Sequence, residues 1–250
     1  MEHKLKIIRN SLEESKNMNF MAEKNNKVFV SGEIVTEAEF SHEVYGEGFY
    51  EMNLLVKRLS GQGDILPITI SERLISDRQL KVGDTINALG QFRSYNKLVD
   101  GKSKLMLTVF IRELLDDIIV RNPNSIVLMG YICKPPIYRT TPFNREIADL
   151  LIAVNRSYNK SDYIPCIAWG RNARFAKNLA VGEKIAVSGR IQSREYQKKI
   201  TDDSMKIMTA YEVSISKLVA YENAENFDVD EEFSLFGVIP NTQDESVYLD

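Results

Sequence analysis

The stretch Tyr163-Ile164-Pro165-Cys166-Ile167-Ala168-Trp169 alternates between two characters. Successive side chains on a strand point to opposite faces. Ile164, Cys166 and Ala168 then share a small apolar face that suits a core. Tyr163, Pro165, Ile167 and Trp169 share the other, which carries two large rings roughly 20 Å apart at about 3.3 Å per residue. Around this strand lie others rich in Ile, Val and aromatic residues and separated by turn residues: 126–132, 147–155, 184–196 and 206–218. Between the third and fourth, Phe175 and Leu179 stand four apart and Gly182 follows, as in a short helix over 171–179 with its stop signal. Three strands, a helix and two strands in about 95 residues is the order of a five-stranded Greek-key barrel of the OB type.

The same order occurs twice. A shift of 98 pairs Val28 with Ile126, Gly32 with Gly130, Arg58 with Arg156 and Pro67 with Pro165; a shift of 99 pairs Gly83 with Gly182 and Gly90 with Gly189. The helix of the first copy falls at 72–80. The expected fold class is all-β in the main: two tandem OB-fold barrels with an N-terminal helix and a disordered acidic C-terminal tail. The expected organisation is an N-terminal helical segment over 1–26, OB domain 1 over 27–115, a linker over 116–123, OB domain 2 over 124–217 and the tail over 218–250. Leu5, Ile8 and Leu12 are spaced for one face of the N-terminal helix.

Charge follows these divisions. The 250 residues sum to −3, but 27–115 carries 11 basic and 12 acidic residues, 124–217 carries 15 and 8, and 218–250 carries none and 9. A basic domain with an acidic tail points to a polyanion in a way the total hides. The acids of the tail are interspersed with Phe227, Phe233, Leu235 and Phe236, a composition that favours disorder and self-repulsion. Such a tail could lie on the basic face.

The fourth strand of the second copy sharpens the reading. Ile185, Val187, Gly189 and Ile191 form its apolar face; Lys184, Ser188, Arg190, Gln192, Arg194 and Tyr196 form the other. Cations alternating with polar groups and ending in a ring make a poor core and a good platform for single-stranded nucleic acid, with Lys and Arg on phosphates and rings on bases. Arg156, Tyr158 and Lys160 stand at the end of the second strand, and Lys198 and Lys199 in the turn after the fourth. The candidate binding residues are Trp169, Tyr196, Tyr163, Tyr158, Arg156, Arg190, Arg194, Lys184, Lys198 and Lys199. In the first copy Ile65 replaces Tyr163, Ser71 replaces Trp169 and Ser60 replaces Tyr158, so its expected role is structural or in pairing.

The segments 124–130, 152–158, Tyr163-Ile-Pro-Cys-Ile-Ala-Trp-Gly170 and Val187-Ser-Gly-Arg-Ile-Gln-Ser-Arg-Glu-Tyr196 resemble the bacterial single-stranded DNA-binding protein family over about 95 residues. The resemblance implies base stacking on Tyr158, Tyr163, Trp169 and Tyr196, and sequence-tolerant binding of single-stranded DNA in replication, recombination and repair. It also implies four OB domains per assembly, which two copies in one chain would reach as a homodimer, and recruitment of replication or repair proteins through the acidic tail. The tail ends Ser246-Val-Tyr-Leu-Asp250, where the family has an acidic end closed by Pro-Phe. The alternative is a primosome-type OB interaction module with weak DNA binding.

Other chemistry finds little footing. Only His3 and His42 occur, Cys133 and Cys166 fall on expected core faces, and no zinc spacing or Gly-rich phosphate loop is present. The expectation is no enzyme, no cofactor and no metal. No apolar run long enough for a membrane span and no secretory signal is read, so a cytoplasmic, nucleoid-associated protein with no membrane partner is expected.

Overall fold

The computed structural model describes residues 25–58, 60–99, 101–116, 118–157, 159–201, 204–220, 227, 229, 231–232 and 238–240, with backbone alone for 198–201, 204 and 238–240. The expected N-terminal helix lies outside them. The first copy runs β1 (Asn26–Ile34), β2 (Glu39–Val44), β3 (Glu47–Lys57), β4 (Gly63–Ser71), α1 (Glu72–Arg78), β5 (Thr85–Val99) and β6 (Lys102–Leu114). After β7 (Ile118–Val120), the second copy runs β8 (Asn124–Ile132), β9 (Ile137–Thr140), β10 (Glu146–Arg156), β11 (Lys160–Trp169), α2 (Arg171–Ala176), β12 (Lys184–Thr201) and β13 (Ser204–Ala220), and β14 (Val238–Pro240) follows. The sequence reading leaves out the short edge strands β2 and β9.

Each copy closes on itself. β1 pairs with both β3 and β5, β3 with β4, β4 with β6 in parallel, and β6 with β5. β8, β10, β11, β13 and β12 repeat the circuit. This is the five-stranded Greek-key OB barrel, twice. Leu54, Leu66, Ile68 and Phe92 fill the first barrel; Ile152, Ile164, Cys166 and Ile191 fill the second. Cys133 lies one residue past β8 and is only half-buried.

The barrels share an antiparallel seam between β1 and β8, in which Val28 faces Ile126. These two residues are also equivalent in the repeat, so a pseudo-two-fold axis passes between them, and every contact across the seam is expected twice. Asn26 Nδ2 donates to Phe92 O at 2.8 Å and its Oδ1 accepts from Phe92 N–H at 2.9 Å. Asn124 brackets Ile191 in the same way, at 2.6 and 2.9 Å. Gly90 and Gly189 also match: a Cβ would come 2.3 Å from Phe110 O at one and 2.1 Å from Ser214 O at the other. Both stand at register shifts where the long strands β5 and β12 bend.

On the outer side of the seam Phe29, Val127 and Val229 are buried together, packed by Leu115, Ile118, Val120 and Phe227. The expected linker and the expected disordered tail therefore take part in a second small core. Glu232 is buried and accepts from Ser188 Oγ at 2.9 Å and from Lys217 Nζ. β14 pairs with β7. At these positions the tail is docked, because Val229 and Phe227 meet an apolar patch that exists only once two barrels abut.

Replacing Asn124 by Ala leaves a buried N–H and C=O of Ile191 without partners. It is expected to lower the unfolding free energy in urea by about 1–3 kcal/mol, and Asn26→Ala to do the same. A loss within about 0.5 kcal/mol, the size of an ordinary surface change, would refute the bracketing role.

Candidate nucleic-acid interface

A groove of about 970 Å³ opens on the face of the second barrel. Trp169 at the end of β11, Arg190 and Arg194 on β12, and Tyr211 on β13 form its floor. Arg145, before β10, closes one side, and Arg58 and Ile65 of the first barrel close another. Trp169 is 38% exposed and its indole N–H donates to Ser214 Oγ at 3.3 Å, which fixes the ring plane. Arg190 is held below the ordinary guanidinium value, first by burial and then by the positive charge of Arg58, with Asp64 opposing. Arg194 lies 3.6 Å from Glu212 and 5.9 Å over the Tyr196 ring. Buried Glu212 also accepts from Gln192 Nε2 at 2.8 Å. Convergent guanidinium groups beside an open indole can take a phosphate backbone and a base together.

The structure brings together Trp169, Arg190 and Arg194, with Tyr196 next along the β12 hairpin. Lys184 is half-buried at the start of β12, paired opposite Tyr131 of β8 and away from the groove. Ser188 is covered by Glu232. The platform read as running from Lys184 to Tyr196 is thus divided at Gly189, where β12 leaves β8 and bends with β13. Glu232 occupies the seam half and leaves the groove half open, so this part of the tail does not lie on the cationic face. Tyr158 and the side chains of Lys198 and Lys199 fall outside the described residues.

Tyr163 and Arg156 lie outside the groove that Trp169 lines. Tyr163 is 47% exposed, and its N–H donates to Ser94 Oγ of the first barrel at 2.7 Å. Arg156 Nη1 lies 3.2 Å from Asp162 Oδ1, the counterpart of the Arg58–Asp64 pair. Their repeat equivalents, Ile65 and Arg58, line the groove of the second barrel. The two-fold therefore exchanges neighbours: each barrel lends its third strand and an arginine to the face of the other.

The sequence reading missed Arg58 and Arg145. Arg58 carried a signal, since it is the repeat partner of Arg156, but only the seam shows whose groove it enters. The offset comparison also finds no ring against Trp169 in the first barrel. The structure supplies one from the adjacent strand: Phe110 of β6, the register equivalent of Ser214. The Arg93 guanidinium lies 4.1 Å over its ring and Phe49 packs at 5.5 Å. Burial, with Arg156 adding to it, lowers Arg93 to about 10. The first barrel is poor in rings at matched positions, not on its face.

Two buried carboxylates tie the faces to the seam. Asp64 takes Arg58 Nε at 2.6 Å and Nη2 at 2.7 Å, and accepts from Ser193 N–H of the other barrel at 2.8 Å. Asp162 accepts from Ser94 N–H at 2.7 Å, but its Oδ2 is buried with no partner among the described residues. Burial works to raise both. Arg58 and the Ser193 N–H outweigh it at Asp64, which titrates below the usual carboxylate range. At Asp162 burial prevails and the carboxyl is raised.

A model of the single-strand binding protein family matches residues 123–218. The single-stranded DNA-binding protein of Clostridium tetani (strain Massachusetts / E88) is 30% identical over 110 residues, which cover 41% of this chain and 74% of that protein. The chain belongs to the single-strand binding protein family. A second member, single-stranded DNA-binding protein 1 of Staphylococcus aureus (strain COL), is 37% identical over 83 residues, 30% of this chain and 50% of that protein. The chain thus spans about half the length of this relative. The fold of the two barrels is similar to that of the wild-type single-stranded DNA binding protein from Thermus aquaticus, which superposes with a TM-score of 0.57 at 22% identity, covering 78% of this chain and 92% of that one. Among the described residues no helix is long and apolar enough to cross a membrane.

The two aspartates set opposite pH dependences. The raised Asp162 holds a proton in the folded chain that the unfolded chain has released, so it makes stability rise as pH falls toward the ordinary carboxylate value. The lowered Asp64 contributes stability above that value and loses it as pH falls through its own. Melting temperatures against pH are expected to lose the first effect in Asp162→Asn and the second in Asp64→Asn. Identical profiles for the two variants would refute the assignment.

Proposed function

We propose that the chain binds single-stranded DNA with little regard to sequence, along a path that starts on Trp169 and crosses the seam onto Arg58 and Ile65. The observation that carries this reading is the open indole face of Trp169 among Arg58, Arg145, Arg190 and Arg194. Such a site engages phosphates by charge and bases by stacking, and neither reads base identity. The relatives are named for single-stranded DNA binding, which supports the same substrate.

Within this reading, 27–115 and 124–217 are the two OB domains, and 124–217 carries the principal site. Arg190, Arg194, Trp169 and Tyr196 contact DNA directly. Arg156 acts through Asp162 on the position of Tyr163. A second copy would bring the barrel count to four. The biological setting would be replication, recombination and repair, with the acids of the tail available to partner proteins.

Anisotropy of labelled oligo-dT tests the proposal. Trp169→Ala is expected to weaken binding by about 1–3 kcal/mol. Arg190→Ala is expected to lower the slope of log K against log salt by about 0.7, one phosphate contact on a single strand. In the wild type, bound DNA should quench Trp169 fluorescence. Negligible binding of oligo-dT, or a Trp169→Ala chain with unchanged affinity, would overturn the reading and favour an interaction module.

A further inference from the structure

The pseudo-two-fold relates two arginine–aspartate pairs, and the two are built differently. Arg58 holds Asp64 with Nε at 2.6 Å and Nη2 at 2.7 Å, and its Nη1 donates to Gln62 Oε1 at 3.1 Å. Both oxygens of Asp64 are satisfied, since Oδ1 also accepts from the N–H and Oγ of Ser193. Arg156 reaches Asp162 with Nη1 alone, at 3.2 Å from Oδ1. That oxygen also accepts from Ser94 N–H, while Oδ2 is buried with no partner among the described residues. The shift of 98 gives the reason: Lys160 stands where the first copy has Gln62. It pairs directly opposite Arg156 in the β10–β11 hairpin. An ammonium cannot accept from a guanidinium as the Gln62 amide does.

Arg156 also meets cations of the first barrel. Arg93 of β5 feels its charge, and Arg112 of β6 adds to it. Arg93 lies over Phe110, Phe110 packs on Phe49, and Tyr163 stands open nearby on β11. Guanidinium groups of both barrels thus share a ring-lined face with one carboxylate, which neutralises only part of their charge. Buried with an unpaired oxygen, that carboxylate is costly as an anion and less costly as an acid.

We propose that this face is a second contact for the phosphodiester backbone, taken by Arg156 and Arg93 as Asp162 binds a proton. The proposal rests on the DNA-binding reading and couples it to pH. The proton comes from solvent and forms an O–H bond at Oδ2. Arg156 stays charged and exchanges Asp162 Oδ1 for a phosphate oxygen. The charges that act on Asp162 are Arg156 from β10 and Arg93 from β5, and both favour its ionised form. Lys160 stands two residues before it on β11. The other titratable groups around this face are His42, stacked on Phe49 at 5.2 Å, and Glu51, which accepts from the Tyr95 hydroxyl at 3.0 Å. A phosphate that draws Arg156 and Arg93 to itself weakens their hold on the carboxylate, so the proton is favoured. Binding therefore takes up a proton and tightens as pH falls.

Calorimetry of oligo-dT binding to the full chain, in buffers of different ionisation enthalpy, counts the protons; thymine has no group that titrates near neutral pH. In the wild type a net uptake approaching about one proton per chain is expected between about pH 8 and about pH 5, with log K rising as pH falls. Asp162→Asn should abolish the uptake and flatten the profile. At the upper pH it should bind about tenfold tighter, the equivalent of one pKa unit of coupling. Lys160→Gln, an exposed change that gives Arg156 the acceptor Arg58 has, should reduce the uptake and serves where Asp162→Asn does not fold. His42→Gln should keep it. Oligo-dT that binds without proton uptake would overturn this proposal and leave the DNA-binding reading standing. So would an uptake that persists in Asp162→Asn, is unchanged in Lys160→Gln or disappears in His42→Gln. No binding at either pH would overturn both.

Discussion

The antiparallel pairing of β1 with β8, centred on Val28 and Ile126, is the constraint on which the rest of the structure depends. Residues equivalent in the repeat meet across it, so the two barrels cannot be placed independently. Asp64 reaches Ser193 and Asp162 reaches Ser94 through the same axis. A buried carboxylate that lost these N–H donors would bear the full cost of desolvation, which keeps the crossing in register. The crossing also carries Arg58 and Ile65 to the groove of the other barrel.

Symmetry is kept where backbone is involved and abandoned where side chains face water. Asn26 and Asn124 each satisfy a donor and an acceptor of one strand, and no other side chain of that size brings both groups there. Gly90 and Gly189 stand against an opposing carbonyl that no Cβ could approach. The outer faces carry no such demand. There the ring of strand β11, Trp169, is matched by a ring on strand β6, Phe110, and Arg145 is matched by Glu47. One scaffold thus presents two faces of different charge and shape.

The net charge of −3 conceals this division. The basic excess of the second copy is set against the acids of the tail, and the described portion of the tail shows how the two coexist. Glu232 pairs with Lys217 and Ser188 on the seam side of β12 and β13. Arg190 and Arg194, beyond the bend at Gly189, keep their groove open. Burial of Val229 on Phe29 and Val127 holds Glu232 at the seam.

The sequence by itself determined the two barrels, because strand periodicity and the constant shift of 98 to 99 are local properties repeated over many residues. It also put Trp169, Arg190, Arg194 and Tyr196 on faces away from the barrel cores, since alternation along one strand assigns faces without tertiary knowledge. The tertiary structure alone decided three further matters. It left Tyr163 and Arg156 outside the groove that Trp169 lines, because a strand's outer face says nothing of which neighbour adjoins it. It separated Lys184 from the groove, because β12 changes partner at Gly189. It supplied Arg58 from a barrel whose sequence looked silent, because antiparallel contact across a two-fold axis exchanges the neighbours of each copy, and that exchange is written in no single segment.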